Sequence, residues 1–331
     1  MNGVVNTVEH WWYTNHPPPV GGTPKHGLPH GAALKGAATA GHRKVLASNA
    51  PHLARPTNME PLVAAPLVNE GVWHPTGREV AGLPAVYTTF FRPDSVHTSL
   101  VAGAMWMDTK LLKMAYVPGL REPGTPLTWG AQVPVAQRPG LVAAFNSGFK
   151  FSSSLGGVFT ENQMVHPLVD GAAALVIDRN GQPNVGKWGR DFTMTPAVVS
   201  VRQNLALIVD DGQPVPGLPS NTNGAWGATL GNRVFVWRSG VGVDRNGALV
   251  YVAGPGLSAV TLAVLLQRAG AVRAMELDIN SAWVSAYTYQ QIFPGHPEGV
   301  GGVKLLPDME RANDRYLVPG ERDFFALFAA R

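Results

Sequence analysis

Thirty-eight glycines and 28 prolines punctuate the 331 residues of this chain. At about one position in five the backbone therefore meets either a residue free to take positive φ or one that cannot donate a hydrogen bond. Long helices do not survive that punctuation, whereas short strands joined by turns do. Hydrophobic residues make up 45% and charged residues 15%, enough to bury a large core as one big domain or two smaller ones.

The chain has no cysteine, which removes disulfide frameworks, thiolate metal sites and thiol nucleophiles together. No apolar run reaches the roughly 18–20 residues of a membrane-spanning helix, and Met1 is not followed by a signal-type segment. Any targeting segment is thus expected to be absent from this chain. The net charge is +4, but residues 1–60 carry Lys25, Lys35, Arg43, Lys44 and Arg55 against Glu9 and Glu60. The remainder is nearly neutral and offers no basic groove, so nucleic acid is not an expected partner.

Residues 1–60 also hold His10, His16, His26, His30, His42 and His52 with Pro17-Pro18-Pro19, and they lack a sustained hydrophobic period. They read as an arm or stem ahead of a catalytic domain over 61–331, because these histidines have no regular ligand spacing and no carboxylate cluster among them. From about Pro61 to Pro139 short apolar runs closed by Gly or Pro read as strands and loops. Leu141 to Phe145 is a buried-type strand running into Asn146-Ser147-Gly148-Phe149.

Asn180-Gly181 and Asn246-Gly247 each follow strand-like runs and mark hairpins, while Leu205 to Val209 enters a turn at Asp210-Asp211-Gly212. One helix is expected over Thr261 to Ala269, with Ser258 or Thr261 as N-cap and Gly270 as C-cap. The strand Ala274 to Asp278 then delivers Asp278 to its C-terminal end. These elements together predict an α+β fold of strand-rich mixed sheets with a few packed helices.

Gly254-Pro255-Gly256-Leu257-Ser258-Ala259 fits G-x-G-x-x-A, with Glu276 near the ribose-binding position. Too little chain follows for a nucleotide-binding domain, and a strand-to-helix turn is the simpler reading. No nucleophile elbow, zincin, Walker A or EF-hand pattern occurs. Asp210 and Asp211 are adjacent and point to opposite faces of a strand, so Asp210 alone stands as a reserve carboxylate or a turn cap.

Three segments carry the most chemistry: Asn146 to Phe149 after one strand, Arg238-Ser239-Gly240-Val241-Gly242-Val243 before a hairpin, and Leu277-Asp278-Ile279-Asn280-Ser281 after the helix. Their order and spacing, with Ala269-Gly270-Ala271 ahead of the third, resemble the phosphodiester glycosidase family over about residues 140–290. That family carries Asn-(Gly/Ala)-Gly-Phe-Phe, Arg-(Thr/Ser)-Ala-(Val/Ile)-Gly and Leu-Asp-Gly-Gly-Gly-Ser segments in this order. Here Ile279 and Asn280 replace family glycines and Trp283 follows, so a different sugar or linkage is expected.

The resemblance implies a hydrolase that cleaves a glycosidic bond to a phosphodiester-linked or envelope-polysaccharide sugar, in an extracellular or envelope location. Phosphate leaves readily, which suits a site with few carboxylates and a well-placed arginine. Asp278 is expected as nucleophile or general base and Arg238 on the leaving phosphate, unless Arg238 forms a buried ion pair with Asp278 or Glu276. Asn146 and Asn280 would meet sugar hydroxyls, with Ser147, Gly148, Ser239 and Ser281 lining the site. Trp226, Trp237 and above all Trp283 could stack on a sugar, core packing being the alternative. The sequence requires no cofactor and assigns no metal, although a hard divalent cation near Asp210 or Asp278 is left open. The other readings are an ordinary glycosidase or transglycosylase acting on a phosphate-free polysaccharide, and a non-catalytic glycan-binding module. The oligomeric state is left open.

Overall fold

The computed structural model describes residues 18–24, 51–124, 128–220, 225–227, 229 and 233–330. The fold is α+β. Its largest sheet runs, from edge to edge, β1 (His74–Pro75), β4 (Val86–Phe91), β5 (Ala102–Met107), β16 (Leu249–Leu257), β15 (Val236–Asp244), β17 (Ala271–Glu276), β13 (Leu207–Asp210) and β14 (Gln213–Pro214). A second sheet is ordered β11 (Pro183–Lys187), β10 (Ala173–Asp178), β12 (Val198–Gln203), β8 (Val158–Thr160) and β9 (Gln163–His166). The third is β19 (Val300–Lys304), β18 (Ala286–Gln291), β7 (Leu141–Asn146), β20 (Phe324–Ala329) and β6 (Leu112–Val117). A small ribbon pairs β2 (Glu79–Val80) with β3 (Leu83–Pro84). Pairing between these strands is antiparallel throughout rather than mixed, as tight hairpins favour.

The turn chemistry explains much of this. Asp244 caps the β15–β16 turn by accepting from Asn246 N–H (2.8 Å) and Ala248 N–H (2.9 Å), and Gly247 supplies a φ of +89°. Asp178 does the same for the β10–β11 turn through Asn180 and Gln182. The run before the Asn246-Gly247 turn is the single nine-residue β15. Its glycines leave room for neighbours, since a Cβ on Gly240 would meet Leu266 Cδ1 at 2.8 Å.

The large sheet is covered on both faces, which is why its strands read as continuous apolar runs. Met105, Leu249, Tyr251 and Met275 point into a central core shared with Leu175 of the second sheet and with Phe145 and Phe325 of the third. Ala104, Trp106, Val250, Val252 and Ala274 point the other way, against Leu262, Leu265 and Leu266 of the helix Ala259–Arg268. Ser258 caps that helix by accepting from Thr261 N–H at 3.0 Å, so it begins two residues before the expected start. The Gly254–Ala259 pattern is the plain strand-to-helix connection.

On the helix face of the sheet, Arg238 and Glu276 form a buried ion pair, with side chains 2% and 0% exposed. Arg238 also donates from Nε to Leu257 O (2.9 Å). Burial pushes the Glu276 carboxyl up to about 7, against the pull of Arg238.

Residues 51–60, grouped with the arm by composition, are part of the body. Leu53 and Met59 are buried, Leu53 N–H donates to Asp108 Oδ2 (2.7 Å), and Met59 N–H donates to Gly71 O (2.8 Å). Apolar anchors and a fixed carboxylate acceptor outweigh a proline-rich composition here. Residues 18–24 lie along the 96–99 turn, through Gly21 N–H to Val96 O (2.7 Å) and Thr98 Oγ1 to Gly22 O (2.8 Å). The rest of the expected arm, with His10, His16, His26, His30 and His42, lies outside the described residues.

Phe145 is fully buried between Tyr251 and Phe325, at ring-centroid distances of 5.0 and 5.6 Å. Phe145→Ala should lower the unfolding free energy by about 3–5 kcal/mol in urea titrations. Glu276 carries a second expectation, because its folded pKa of about 7 lies above the reference 4.5. Its contribution to stability is complete below about pH 4.5 and is lost as pH rises through about 7. Glu276→Gln should remove this dependence, so that the variant gains on the wild type by up to roughly 3 kcal/mol between these limits in pH-resolved unfolding.

Candidate functional site

The site lies where the C-terminal ends of β7 and β17 meet the starts of β15, β18 and β20. Asn146, the last residue of β7, is only 2% exposed and ties these ends together. Its Nδ2 donates to Ser239 Oγ (3.0 Å) and Ser147 O (2.9 Å), while its Oδ1 accepts from Tyr251 OH (2.7 Å) and Ser285 N–H (3.1 Å). Four bonds use the amide fully, so Asn146 positions the site rather than meeting sugar hydroxyls.

Asp278, two residues past β17, is held from four directions. Its N–H donates to Ser147 O (3.1 Å), its carbonyl accepts from Ser239 Oγ (2.7 Å), and its Oδ1 accepts from Asn280 N–H (2.9 Å). Its Oδ2 lies 3.1 Å from Arg322 Nη2. Asp278 is 6% exposed, and burial raises its carboxyl above the ordinary range while Arg322 opposes the rise. A carboxylate with one oxygen on a turn amide and the other on a guanidinium is fixed in orientation and poised to take a proton or attack carbon.

Arg322 immediately precedes Asp323 and β20. Its Nη2 also donates to Gly148 O (2.8 Å), and its Nε is buried with no partner among the described residues. Asp323 accepts from Tyr116 OH (2.9 Å) and Arg202 Nε (2.7 Å). Arg202 in turn donates to Phe149 O (2.5 Å) and Gln203 O (2.7 Å), clamping the segment after β7. Asn204 completes the clamp by accepting from Phe149 N–H (3.0 Å) and donating to Glu276 O (2.8 Å). Gly148 is required by this approach, since a Cβ there would lie 2.8 Å from Asn204 Cγ.

The structure thus gathers Asn146, Ser147, Gly148, Ser239, Asp278, Asn280 and Trp283 in one region. Ser147 Oγ is buried and unpartnered among the described residues. Asn280 closes the turn after Asp278, its Oδ1 accepting from Ala282 N–H (2.9 Å). Ser281 lies in that same half-buried turn.

Other expectations change as well. Arg238 faces Glu276 and the carbonyls of Leu257 and Val234, so its donors are committed inside the sheet rather than to a leaving phosphate. Asp210 is not part of the site. In the β13–β17 register Leu207 opposes Met275 and Val209 opposes Ala274, which sends Asp210 to the opposite end from Asp278. There both its oxygens meet Arg190, at 2.6 and 2.9 Å, and this pairing holds its carboxyl below the usual range. Trp283, half-buried, is flanked by cations, with Arg311 4.5 Å, Arg315 5.3 Å and Arg322 5.5 Å from its ring centroid. Trp226 and Trp237 are buried core residues.

Arg322, Asp323, Arg202 and Asn204 were not visible as site residues in the sequence. The available signal was Arg322-Asp323 standing directly before the apolar run Phe324 to Phe328, the same polar-at-strand-end logic that marks Asn146 and Asp278. Among the described residues, no group of three or more His, Asp or Glu side chains could hold a metal ion. None of their helices is long and apolar enough to cross a membrane.

Residues 139–278 match the family model of the phosphodiester glycosidases. No curated protein matches the chain. Among solved structures, the catalytic domain of zebrafish N-acetylglucosamine-1-phosphodiester alpha-N-acetylglucosaminidase, auto-inhibited by its pro-peptide, is similar at 14% identity and a TM-score of 0.47. That match covers 75% of this chain and 84% of the zebrafish one. A hypothetical protein from Synechocystis is similar at 12% identity and a TM-score of 0.43, over 78% of this chain and 64% of that one. A protein from Burkholderia pseudomallei shows 12% identity and a TM-score of 0.35, over 70% of this chain and 74% of that one. Over residues 139–278, the stretch that carries Asn146, Ser239, Glu276 and Asp278, this chain resembles the phosphodiester glycosidases.

Proposed function

We propose that the chain hydrolyses the bond between a sugar carbon and a phosphodiester oxygen, with Asp278 as general base or nucleophile and Arg322 as the cation facing the departing phosphate. The observation that carries this reading is the Asp278–Arg322 pair at 3.1 Å, a carboxylate and a guanidinium side by side at the joint of two sheets. With Asp278 as base, water bonds to the anomeric carbon and gives its proton to Asp278. The carbon–oxygen bond breaks and the phosphate oxygen keeps the electron pair. The departing phosphate is already a stable anion, so charge stabilisation by Arg322 replaces protonation by a strong acid.

The acids near Asp278 favour this over an ordinary glycosidase, which needs a second carboxyl group to protonate a sugar oxygen. Glu276 is engaged by Arg238, and Asp323 by Arg202 and Tyr116. Ser147 and the 279–283 turn line the approach to Asp278, and the non-glycine residues of that turn account for a sugar or linkage different from the family's. An extracellular or envelope location belongs to the same proposal.

Product analysis on sugar-1-phosphate diesters and on phosphate-free glycosides tests this directly. Free sugar and a phosphomonoester should appear from the first panel only, and Asp278→Asn should slow their release at least about 100-fold while circular dichroism is unchanged. Turnover of the phosphate-free panel alone would move the assignment to an ordinary glycosidase. Undiminished turnover by Asp278→Asn would remove Asp278 from the mechanism. The pH profile gives a separate check. Asp278 acts ionised and its pKa is raised, so kcat/KM should climb with pH along a limb lying above the ordinary carboxylate range. Arg322→Gln removes the charge that opposes this rise and should move the limb to still higher pH.

A further inference from the structure

Trp283 lies five residues beyond Asp278 and gathers three guanidinium groups around one half-buried indole, with Arg311 nearest at 4.5 Å and Arg315 and Arg322 at 5.3 and 5.5 Å. Like charges this close repel one another, and the ring face attracts each only modestly. Among the described residues, the Asp278 carboxylate is the single acid ion-paired to any of the three. Arg311 donates from Nε to Ala282 O (2.6 Å), a neutral acceptor. Arg315 stacks 5.0 Å over Tyr316, and its Nε is buried with no partner among the described residues. Arg322, only 5% exposed, has an unpartnered Nε as well. Burial, and then the charge of Arg315, pull the Arg311 pKa down, against the weaker opposing pull of Glu310 and Glu321.

Glu310 and Glu321 act on Arg311 without forming an ion pair with it, so a phosphodiester on Arg322 would still leave Arg311 and Arg315 with no carboxylate ion-paired to them among the described residues. The geometry points to a second oxyanion subsite, formed by Arg311 and Arg315 around Trp283, that takes a phosphate or carboxylate carried by the substrate away from the bond being cut. The substrate class is then a polyanionic glycan rather than a sugar bearing a single phosphate. This deepens the reading of Asp278 and Arg322 and rests on it for the position of the scissile phosphate.

Calorimetric binding separates the two ideas because it requires no turnover. The probes are inorganic phosphate, neutral chitotriose, a trimer of galacturonic acid and a trimer of glycerol phosphate. At least one anionic trimer should bind wild type tenfold or more tighter than inorganic phosphate and chitotriose do, and the choice between the two trimers identifies carboxylate or phosphate as the anion. Arg311→Gln with Arg315→Gln should abolish that preference. Arg311→Lys with Arg315→Lys keeps the charge and should retain most of it. Equal binding of the anionic trimers and chitotriose, an unchanged preference in the Gln pair, or an equal loss in the Gln and Lys pairs would each overturn the subsite. Full hydrolysis by Asp278→Asn would overturn the catalytic reading while leaving these binding results interpretable.

Discussion

The hydrogen bonding of one buried amide, Asn146, governs the arrangement of everything around it. Its two donors and two acceptor bonds reach Ser239 and Tyr251 of the large sheet and Ser147 and Ser285 of the third. A buried amide left half-satisfied costs free energy comparable to several lost van der Waals contacts, so these partners constrain one another's positions. Ser239 then fixes the Asp278 carbonyl, and Ser147 O fixes the Asp278 amide. The carboxylate is therefore aimed by backbone bonds made on both sides of it, which is a stiffer arrangement than side-chain packing alone would give.

The two arginine–carboxylate pairs near the end of β17 show how alternation along a strand separates roles. Glu276 and Asp278 are two residues apart, yet Glu276 is fully enclosed with Arg238 on the helix side of the sheet, whereas Asp278 has left the ladder and meets Arg322 at the sheet joint. Burial raises both carboxyls. The first is sealed inside the sheet, and the second stands beside a turn at the sheet joint. Arg238 braces, from inside the sheet, the strand that leads to Asp278.

The sequence made the local elements legible wherever the signal was itself local. Asn–Gly turns, the Ser258 cap and the apolar runs of β7, β10, β13 and β17 are encoded within a few residues. Asn146 and Asp278 were legible as polar residues ending such runs. What could not be read was strand direction and partnership. Asp210 and Asp278 both end apolar runs, but β13 and β17 are antiparallel, so the same local signal puts them at opposite ends. Arg202 and Arg322 reach the site only because β12 and β20 belong to sheets whose neighbours are distant in the chain, and no spacing rule connects them to Asn146. The role of Trp283 was hidden likewise, because its arginine neighbours come from a segment without periodicity.

The placement of β20 has a kinetic meaning. This strand lies between β7 and β6, one place in from the edge of the third sheet, and carries Arg322 and Asp323 at its leading edge, far along the chain from the Asn146 segment it pairs with. Insertion of a strand between two others across so long a loop is the kind of closure that comes late and slowly in folding. Until it occurs, Asp278 has no counter-charge and the clamp on Phe149 lacks the Asp323 that anchors it. Partly assembled molecules would thus have most of their sheets without the Asp278–Arg322 pair, which makes that pair a reporter of complete closure.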